Sequence, residues 1–246
     1  MSAEPGIDIL AFGAHPDDVE LAGGGTLLLA AAAGQSTAIA HLTGGELGTR
    51  GTPAIRQSEA AAAAKMLGAK SMEVLSLPDG HLEVDLKAKR VVVDAIRRHR
   101  PELVIAPYWE DLHPDHKATG ELVRQCAFLS GLVNWNPGLA PWRPDRVLYY
   151  MSHTGFDPDL IVDIGEVFET KKLAAQCYRS QFHDPESEER QTYIARAEFW
   201  DWWEGRARHW GHLIGATHGE PLCTAGPIPT RDPSALFRNF GRYRNS

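Results

Sequence analysis

Two short motifs that combine histidine, proline and aspartate carry the chemistry of this sequence. The first is HPDD at residues 15–18, and the second is HPDH at residues 113–116. The proline after each histidine biases that histidine toward extended backbone and lets the following residues begin a helix. Together the motifs supply the donor types of hydrolytic Zn²⁺ sites, in which three protein ligands leave one position open for water. These donors are His15, Asp17, Asp18, His113, Asp115 and His116.

The six donors can be divided between metal ligands and proton carriers. A carboxylate outside the metal's coordination can accept a proton from water, and a free histidine can protonate a leaving group or stabilise an oxyanion. Spacing alone does not choose between His113 and His116 as ligand, or between Asp17 and Asp18. Each motif taken singly also fits a helix whose first turn is capped by aspartate. Two motifs at matching strand ends favour a joint catalytic site.

Apolar runs and helical segments alternate along the chain and position both motifs. Strands are predicted at residues 7–13, 37–43, 72–77, 103–107, 147–151 and 160–163. Helices are predicted at residues 20–34, 54–67, 86–100, 114–130, 167–178 and 189–209. This alternation indicates βαβ crossovers and a mainly parallel sheet. Both motifs follow a strand, and open α/β sheets place their sites at such strand ends.

Length and composition indicate a globular protein. The chain has 246 residues, of which 43% are hydrophobic and 23% charged, and both fractions are ordinary globular values. One domain is expected over residues 1–246, with a core at about 7–132, a C-terminal part at about 145–220 and a loosely ordered tail at 227–246. The net charge of −7 argues against a nucleic-acid partner. Without a signal peptide or a long apolar run, we expect a cytoplasmic protein with no membrane partner.

Five segments of the sequence resemble a known family. They read GAHPDDVELAGGGTLL, LTGGELGTRGTPAIRQSEA, LPDGHL, HPDHKATGELV and CYRSQF. These segments resemble the LmbE/PIG-L family of zinc-dependent N-acetylsugar deacetylases, and the resemblance spans about residues 8–219. The GELGTRGT and CYRSQF segments look closest to the branch that acts on N-acetylglucosaminyl-malate in bacillithiol biosynthesis. Deacetylases of mycothiol precursors, phosphatidylinositol conjugates and chitin fragments share the core motifs.

The resemblance implies a fold and a role for each motif residue. The fold is a Rossmann-like layered α/β domain with a mainly parallel sheet, helices on both faces and a C-terminal α/β extension over the site. The implied zinc ligands are His15, Asp18 and His116. Asp17 is then the general base, and His113 is the acid or oxyanion stabiliser, oriented by Asp115. The same donor set accepts Fe²⁺ or Co²⁺. Members of this branch form hexamers, so a homo-oligomer is expected.

The expected function is that of a zinc-dependent hydrolase that removes acetyl from a small GlcNAc glycoside. The resemblance favours N-acetylglucosaminyl-malate as the substrate. The alternatives are another GlcNAc conjugate, such as chitobiose or a mycothiol-type or antibiotic intermediate, and a non-catalytic sugar-binding module. The complete set of ligands, base and acid argues against a module without catalysis.

Other residues have weaker signals. Arg50 lies in a glycine-flanked loop, and its guanidinium suits bidentate pairing with a substrate carboxylate. Tyr193 aligns, by resemblance, with a mobile tyrosine near the oxyanion. Asp79 with Gly80 predicts a turn, and no ligand spacing singles out the other histidines, such as His153. A wide aromatic helix face predicts packing in the core or at a subunit contact. That stripe is Trp200, Trp203, Ala207 and Trp210, flanked by Phe199 and Trp202.

Overall fold

Strands and helices alternate along residues 6–232, the part of the chain that this computed structural model describes. The strands are β1 Ile9–Gly13, β2 Thr37–His41, β3 Ser71–Val74, β4 Leu103–Pro107, β5 Arg146–Tyr150, β6 Leu160–Asp163 and β7 Gly219–Thr224. The helices are α1 Asp18–Ala32, α2 Pro53–Met66, α3 Leu86–His99, α4 Pro114–Leu129, α5 Phe168–Ala175 and α6 Phe199–Leu213. The tail predicted at 227–246 lies outside the described residues from position 233 onward.

All seven strands join one sheet in the order β3-β2-β1-β4-β5-β7-β6. The five strands from β3 to β5 are parallel, whereas β7 runs antiparallel to both of its neighbours. The strand order reverses direction between β1 and β4. In open α/β sheets, the crevice at such a reversal is where ligands bind, at the carboxyl ends of the strands. The predicted α/β fold with a mainly parallel sheet is confirmed.

Strand β1 shows why helices must cover both faces of the sheet. Its side chains alternate between the faces, as successive residues of a strand do. Leu10 and Phe12 belong to the buried cluster that α3 and α4 cover, whereas Ile9 and Ala11 belong to the cluster under α1. All four side chains are buried. The strand is therefore apolar throughout, which is typical of a parallel strand covered on both sides.

The C-terminal helices pack against the α1 and α2 side of the molecule. Phe168 of α5 and Trp203 of α6 share a buried cluster with Ala60 of α2. Trp203 is 5% exposed, and its indole Nε1 donates a 2.9 Å hydrogen bond to the carbonyl oxygen of Leu21. The predicted core position of the aromatic stripe is confirmed for Trp203. Trp202 differs, because it is 44% exposed.

One predicted helix was partly wrong, and one strand was missed. The helix predicted at 189–209 begins only at Phe199, and residues 189–198 form turns and irregular structure instead. Tertiary contacts compete with helix formation in that segment, since Glu189 accepts a 3.2 Å hydrogen bond from the backbone N–H of Gly51. Strand β7 was not predicted at all. It contains Pro221, a residue that argues against an interior strand because it cannot donate to a ladder.

The sheet draws strands from both parts of the chain distinguished by sequence, the core at 7–132 and the C-terminal part at 145–220. Organisation as one domain over the whole chain stays a prediction. Among residues 6–232, none of the helices has both the length and the apolar character that crossing a bilayer would require.

A buried ion pair ties the C-terminal part to α1. The ammonium of Lys171 lies 2.7 Å from the carboxylate of Glu220, which also accepts hydrogen bonds from two backbone N–H groups of α1. We expect Glu220→Ala to lower the free energy of unfolding by about 3–5 kcal/mol, because it leaves the Lys171 charge buried without a partner. Urea denaturation measures this change.

The matched control for that variant is Glu204→Ala, which breaks the partly exposed pair with Lys172. Its expected cost is below about 1 kcal/mol, because solvent screens pairs near the surface. Equal costs for the two variants would contradict a special role of the buried pair.

Candidate active site

Both His-Pro motifs lie where the strand order of the sheet reverses. The HPDD motif links β1 to α1, the HPDH motif lies between β4 and the first turn of α4, and β1 pairs directly with β4. A cavity of about 600 Å³ opens at this edge and is lined by residues of both motifs. The two turns, far apart in sequence, therefore face one cavity.

Three side chains from the two motifs converge in this cavity. The Nδ1 atom of His15 lies 3.5 Å from Oδ2 of Asp18, and Nε2 of His116 lies 3.0 Å from Oδ1 of Asp18. One donor atom from each residue lies within 4.8 Å of the others. Asp18 and His116 are buried, and the His15 side chain is 12% exposed. Two imidazoles and a carboxylate so arranged can hold a divalent cation such as Zn²⁺.

The outward nitrogen of each imidazole faces another carboxylate. His15 Nε2 lies 3.0 Å from Asp79 Oδ1 and 3.1 Å from Asp115 Oδ2. His116 Nδ1 lies 3.4 Å from Asp111 Oδ1. Histidines that bind metals are usually oriented in this way, because the outer carboxylate fixes the ring and makes its inner nitrogen a better donor.

The electrostatics of the cluster favour a bound cation. Burial by itself lowers the pKa of both imidazoles, but the surrounding carboxylates reverse this effect. The pKa of His15 is held well above its ordinary value, and Asp18 with Asp111 raises the pKa of His116 to about 9. Aspartates are in excess over cationic side chains here, so positive charge between the imidazoles stabilises the cluster. They are Asp17, Asp18, Asp79, Asp111 and Asp115.

Two further groups of donors are close enough to hold a metal, but their atoms have other partners. In the group of His15, His113 and Asp115, the Asp115 carboxylate accepts from the backbone N–H of Gly80 at 2.7 Å. In the group built on Asp111, that carboxylate accepts three backbone N–H bonds, from residues 113, 153 and 154. The group of His15, Asp18 and His116 is therefore the one that fits a metal best.

Asp17 lies beside this triad with its carboxylate available for chemistry. It occupies the N-cap position of α1 with a φ of 108°, and its side chain makes no capping hydrogen bond. Such a strained backbone at a non-glycine residue is typical of functional sites. Burial raises the pKa of Asp17 to about 6, an effect that Arg56, 3.4 Å away, partly offsets. A carboxylate with a pKa near neutrality suits proton transfer.

His113 is the N-cap of α4, and its Nδ1 accepts the backbone N–H of Asp115 at 3.2 Å. This contact assigns the ring proton to Nε2, and the side chain lines the cavity. The expected role of Asp115 is different in the structure. Its carboxylate pairs with His15, so only its backbone N–H orients His113. The reason is geometric, because the first turn of α4 directs this carboxylate toward β1 and Gly80.

Sequence reasoning missed four polar residues of the site. Asp79, predicted only as a turn residue, and Asp111 hold the two imidazoles, while Arg56 contacts Asp17 and His153 lies 3.1 Å from Asp111. Both aspartates follow the carboxyl end of a parallel strand. That position is the signal by which they could have been found.

The two predicted substrate-binding residues lie in different places. Arg50 is 5% exposed, and its guanidinium donates to the carbonyl oxygen of Ser180 and the hydroxyl of Ser187. It is not among the residues that line the cavity, because the 180–189 segment engages it. Tyr193 does line the cavity and is 57% exposed. The arginines that line the cavity are Arg56 of α2 and Arg206 of α6.

Comparison with known proteins identifies the family. The family model described as "PIG-L: GlcNAc-PI de-N-acetylase" matches residues 10–127. Diacetylchitobiose deacetylase from Thermococcus kodakarensis is 29% identical over 233 residues, covering 87% of this chain and 81% of that protein. A probable N-acetyl-alpha-D-glucosaminyl L-malate deacetylase 2 from Bacillus cereus is 30% identical over 187 residues, covering 68% of this chain and 80% of that protein. The chain belongs to the PIG-L family, as its motifs predict.

Solved structures agree with this assignment. The crystal structure of a conserved protein from Thermus thermophilus superposes with a TM-score of 0.83 at 34% identity, covering 91% of this chain and 97% of that chain. The relatives also include 4-oxalmesaconate hydratase from Pseudomonas putida, 28% identical over 191 residues, covering 71% of this chain and 74% of that protein. Deacetylases of GlcNAc conjugates thus predominate among these relatives, and one hydratase accompanies them.

Metal content of purified variants tests the ligand assignment. We expect His15→Ala, Asp18→Ala and His116→Ala each to lose stoichiometric Zn²⁺, because each removes one of three donors. Asp111→Asn should weaken binding by about 10- to 100-fold, because it removes the outer partner of His116. Elemental analysis after dialysis measures both effects. His113→Ala is the matched control and should keep the metal; retention by the His116 variant instead would contradict the assignment.

Proposed function

We propose that this protein is a divalent-metal-dependent deacetylase that hydrolyses the acetamide of a GlcNAc glycoside, with Zn²⁺ as the metal. One observation carries the proposal. A metal-binding triad, a strained buried carboxylate and a histidine with a protonated Nε2 line the same cavity. Amide hydrolysis needs these three groups together, because the carbonyl must be polarised, the water deprotonated and the developing oxyanion stabilised.

Asp17 is the base in this proposal. A divalent cation supplies Lewis-acid chemistry when it is bound, since it polarises a carbonyl and makes water a stronger acid. The carboxylate of Asp17 accepts the proton of the attacking water. Arg56 keeps this carboxylate in place, since its guanidinium also donates a 2.5 Å hydrogen bond to the carbonyl oxygen of Pro16. Gly45 makes this possible, because a Cβ at that position would collide with the guanidinium of Arg56.

His113 stabilises the oxyanion, since its Nε2–H can donate a hydrogen bond while its Nδ1 accepts the backbone N–H of Asp115. The water oxygen forms a bond to the acetyl carbon, the carbon–nitrogen bond breaks, and the proton taken up by Asp17 passes to the departing nitrogen. The products are acetate and a free amino sugar. His113 stacks on His116, with ring centroids 4.7 Å apart, which holds this donor beside the triad.

The group attached to the GlcNAc ring, the aglycone, distinguishes the candidate substrates. The sequence favours N-acetylglucosaminyl-malate, and the relative from Bacillus cereus is named for that substrate. The expected recognition of its carboxylates by Arg50 has no support in the cavity lining. The malyl glycoside and diacetylchitobiose are therefore the two substrates to compare. Action in bacillithiol biosynthesis, a cytoplasmic location and assembly into a hexamer stay predictions.

Acetate release tests the proposed function. We expect the Zn²⁺-loaded protein to release acetate from GlcNAc glycosides and to lose this activity after treatment with EDTA. Asp17→Asn should keep its metal and lower kcat by about 10²- to 10⁴-fold, because the amide cannot accept the proton. An enzyme-coupled acetate assay measures the rate. If no GlcNAc compound yields acetate while the metal is bound, the proposed deacetylase function is wrong, and hydration of an unsaturated acid becomes the next reaction to assay.

The acid limb of the pH dependence of kcat/KM should follow the titration of Asp17. Burial raises the pKa of Asp17, and the base must be unprotonated, so activity is lost as the pH falls through about 6. Arg56→Gln should move this limb to higher pH, because this guanidinium lowers the pKa of Asp17. A pH–rate profile measures the position of the limb, and an unmoved acid limb in the Arg56 variant would contradict the assignment of Asp17.

A further inference from the structure

One wall of the cavity is aromatic, and two of its rings are open to solvent. Tyr193, from the loop before α6, is 57% exposed, and Trp202 of α6 is 44% exposed. Their rings stack with centroids 5.6 Å apart and an interplanar angle of 22°. We call this pair of residues the aromatic platform. Both residues line the same cavity as the metal-binding triad.

The aromatic platform rests on a rigid base. Phe199, 7% exposed, meets the edge of Tyr193 at a centroid distance of 6.1 Å. Trp203 is anchored by its hydrogen bond to Leu21 and by the Lys171 ammonium, 4.8 Å from its ring. The buried members of the α6 aromatic face therefore hold the helix, and the exposed members are left at the cavity. Two stacked rings exposed on a wall of a binding cavity are typical of a ligand site.

The charge of the cavity favours a neutral aglycone. Among the described residues lining it, three aspartates stand against two arginines. Arg56 is engaged by Asp17, and Arg206 donates to the carbonyl oxygen of Ser152. Asp111 and Asp115 lie directly behind the imidazoles, so five carboxylates still exceed the charge of two arginines and one divalent cation, which leaves no surplus of positive charge for a dicarboxylate. A neutral ligand avoids this cost.

A pyranose ring fits both the apolar and the polar parts of this wall. The C–H groups on one face of a pyranose form an apolar surface that packs flat on an aromatic ring, while its hydroxyl groups point sideways. The guanidinium of Arg206 lies on the same wall and offers N–H donors to such hydroxyls. A volume of about 600 Å³ lies within the range of roughly 300–1,000 Å³ for cavities that bury a ligand larger than one acetamide.

We propose that the aromatic platform, Trp202 with Tyr193, binds the second sugar ring of an acetamido disaccharide whose first ring carries the acetamide at the metal site. The inference rests on the proposed function, since it assigns the aglycone of that reaction. Trp202 is a specificity-determining residue in this view. It selects a carbohydrate aglycone over a small dicarboxylate one.

The test compares three substrates with the Zn²⁺-loaded protein: N,N′-diacetylchitobiose, N-acetylglucosamine and N-acetylglucosaminyl-malate. The wild type should prefer the disaccharide to the monosaccharide in kcat/KM. Trp202→Ala should lower that ratio about tenfold, which corresponds to about 1.4 kcal/mol for one lost stacking contact. Trp202→Phe should keep most of the ratio, because it keeps a ring. Trp210→Ala is the matched control, since Trp210 is on the same helix but does not line this cavity.

A binding measurement gives a second readout that does not depend on turnover. Calorimetry with the Asp17→Asn protein should show diacetylchitobiose binding that Trp202→Ala weakens about tenfold in the double variant. An unchanged Kd in the double variant, an unchanged substrate ratio in Trp202→Ala or a wild-type preference for the malyl glycoside would overturn the inference. Failure of the proposed function looks different. In that case no substrate yields acetate, and the calorimetric comparison alone decides whether the platform binds the disaccharide.

Discussion

The site depends on the parallel pairing of β1 with β4, which places two His-Pro turns side by side. The two strands pair in register from Ile9 with Leu103 to Ala11 with Ile105, so they end at the same edge of the sheet. Each strand then turns through a histidine, and the chain continues into α1 or α4. A shift of this register by one residue would reverse the faces of β1 and move His15 away from His116. The apolar clusters on both faces of β1 oppose such a shift, so the packing of the core fixes the geometry of the donors.

Carboxylates fix the positions of the two imidazoles that the strand pairing brings together. Asp18 faces both imidazoles, and an outer aspartate orients each ring from behind. Buried carboxylates this close repel one another unless positive charge lies between them. A cation bound in this cluster would therefore relieve the repulsion between the carboxylates and would also supply Lewis-acid chemistry. The two carboxylates of the HPDD motif also differ in pKa, because their surroundings differ. The pKa of Asp18 is held well below its ordinary value, while that of Asp17 is raised. One motif can thus supply both a ligand and a base.

The C-terminal part of the chain contributes the aromatic wall of the cavity. The α6 helix uses its buried aromatic residues to attach to α1, α2 and α5, and its exposed ones to line the cavity. The 180–189 segment holds Arg50 away from that cavity, while Arg206 stands in the wall. The metal-binding donors, by contrast, follow β1 and β4 in the first half of the chain. The donors and the aromatic wall of the cavity therefore come from separate parts of the chain.

The sequence by itself determined the local features. Periodicity and turn residues placed β4 at residues 103–107 and β6 at 160–163, because these signals lie within a few neighbouring residues. The His-Pro motifs marked the donors that the structure brings together in a group able to hold a metal. Only the tertiary structure decided which aspartates contact the imidazoles: Asp79 and Asp115 lie beside His15, and Asp111 lies beside His116. It also decided that β7 inserts between β5 and β6 despite Pro221. Each of these contacts joins residues distant in the chain. Their distances follow from strand register and helix packing, which no local pattern encodes.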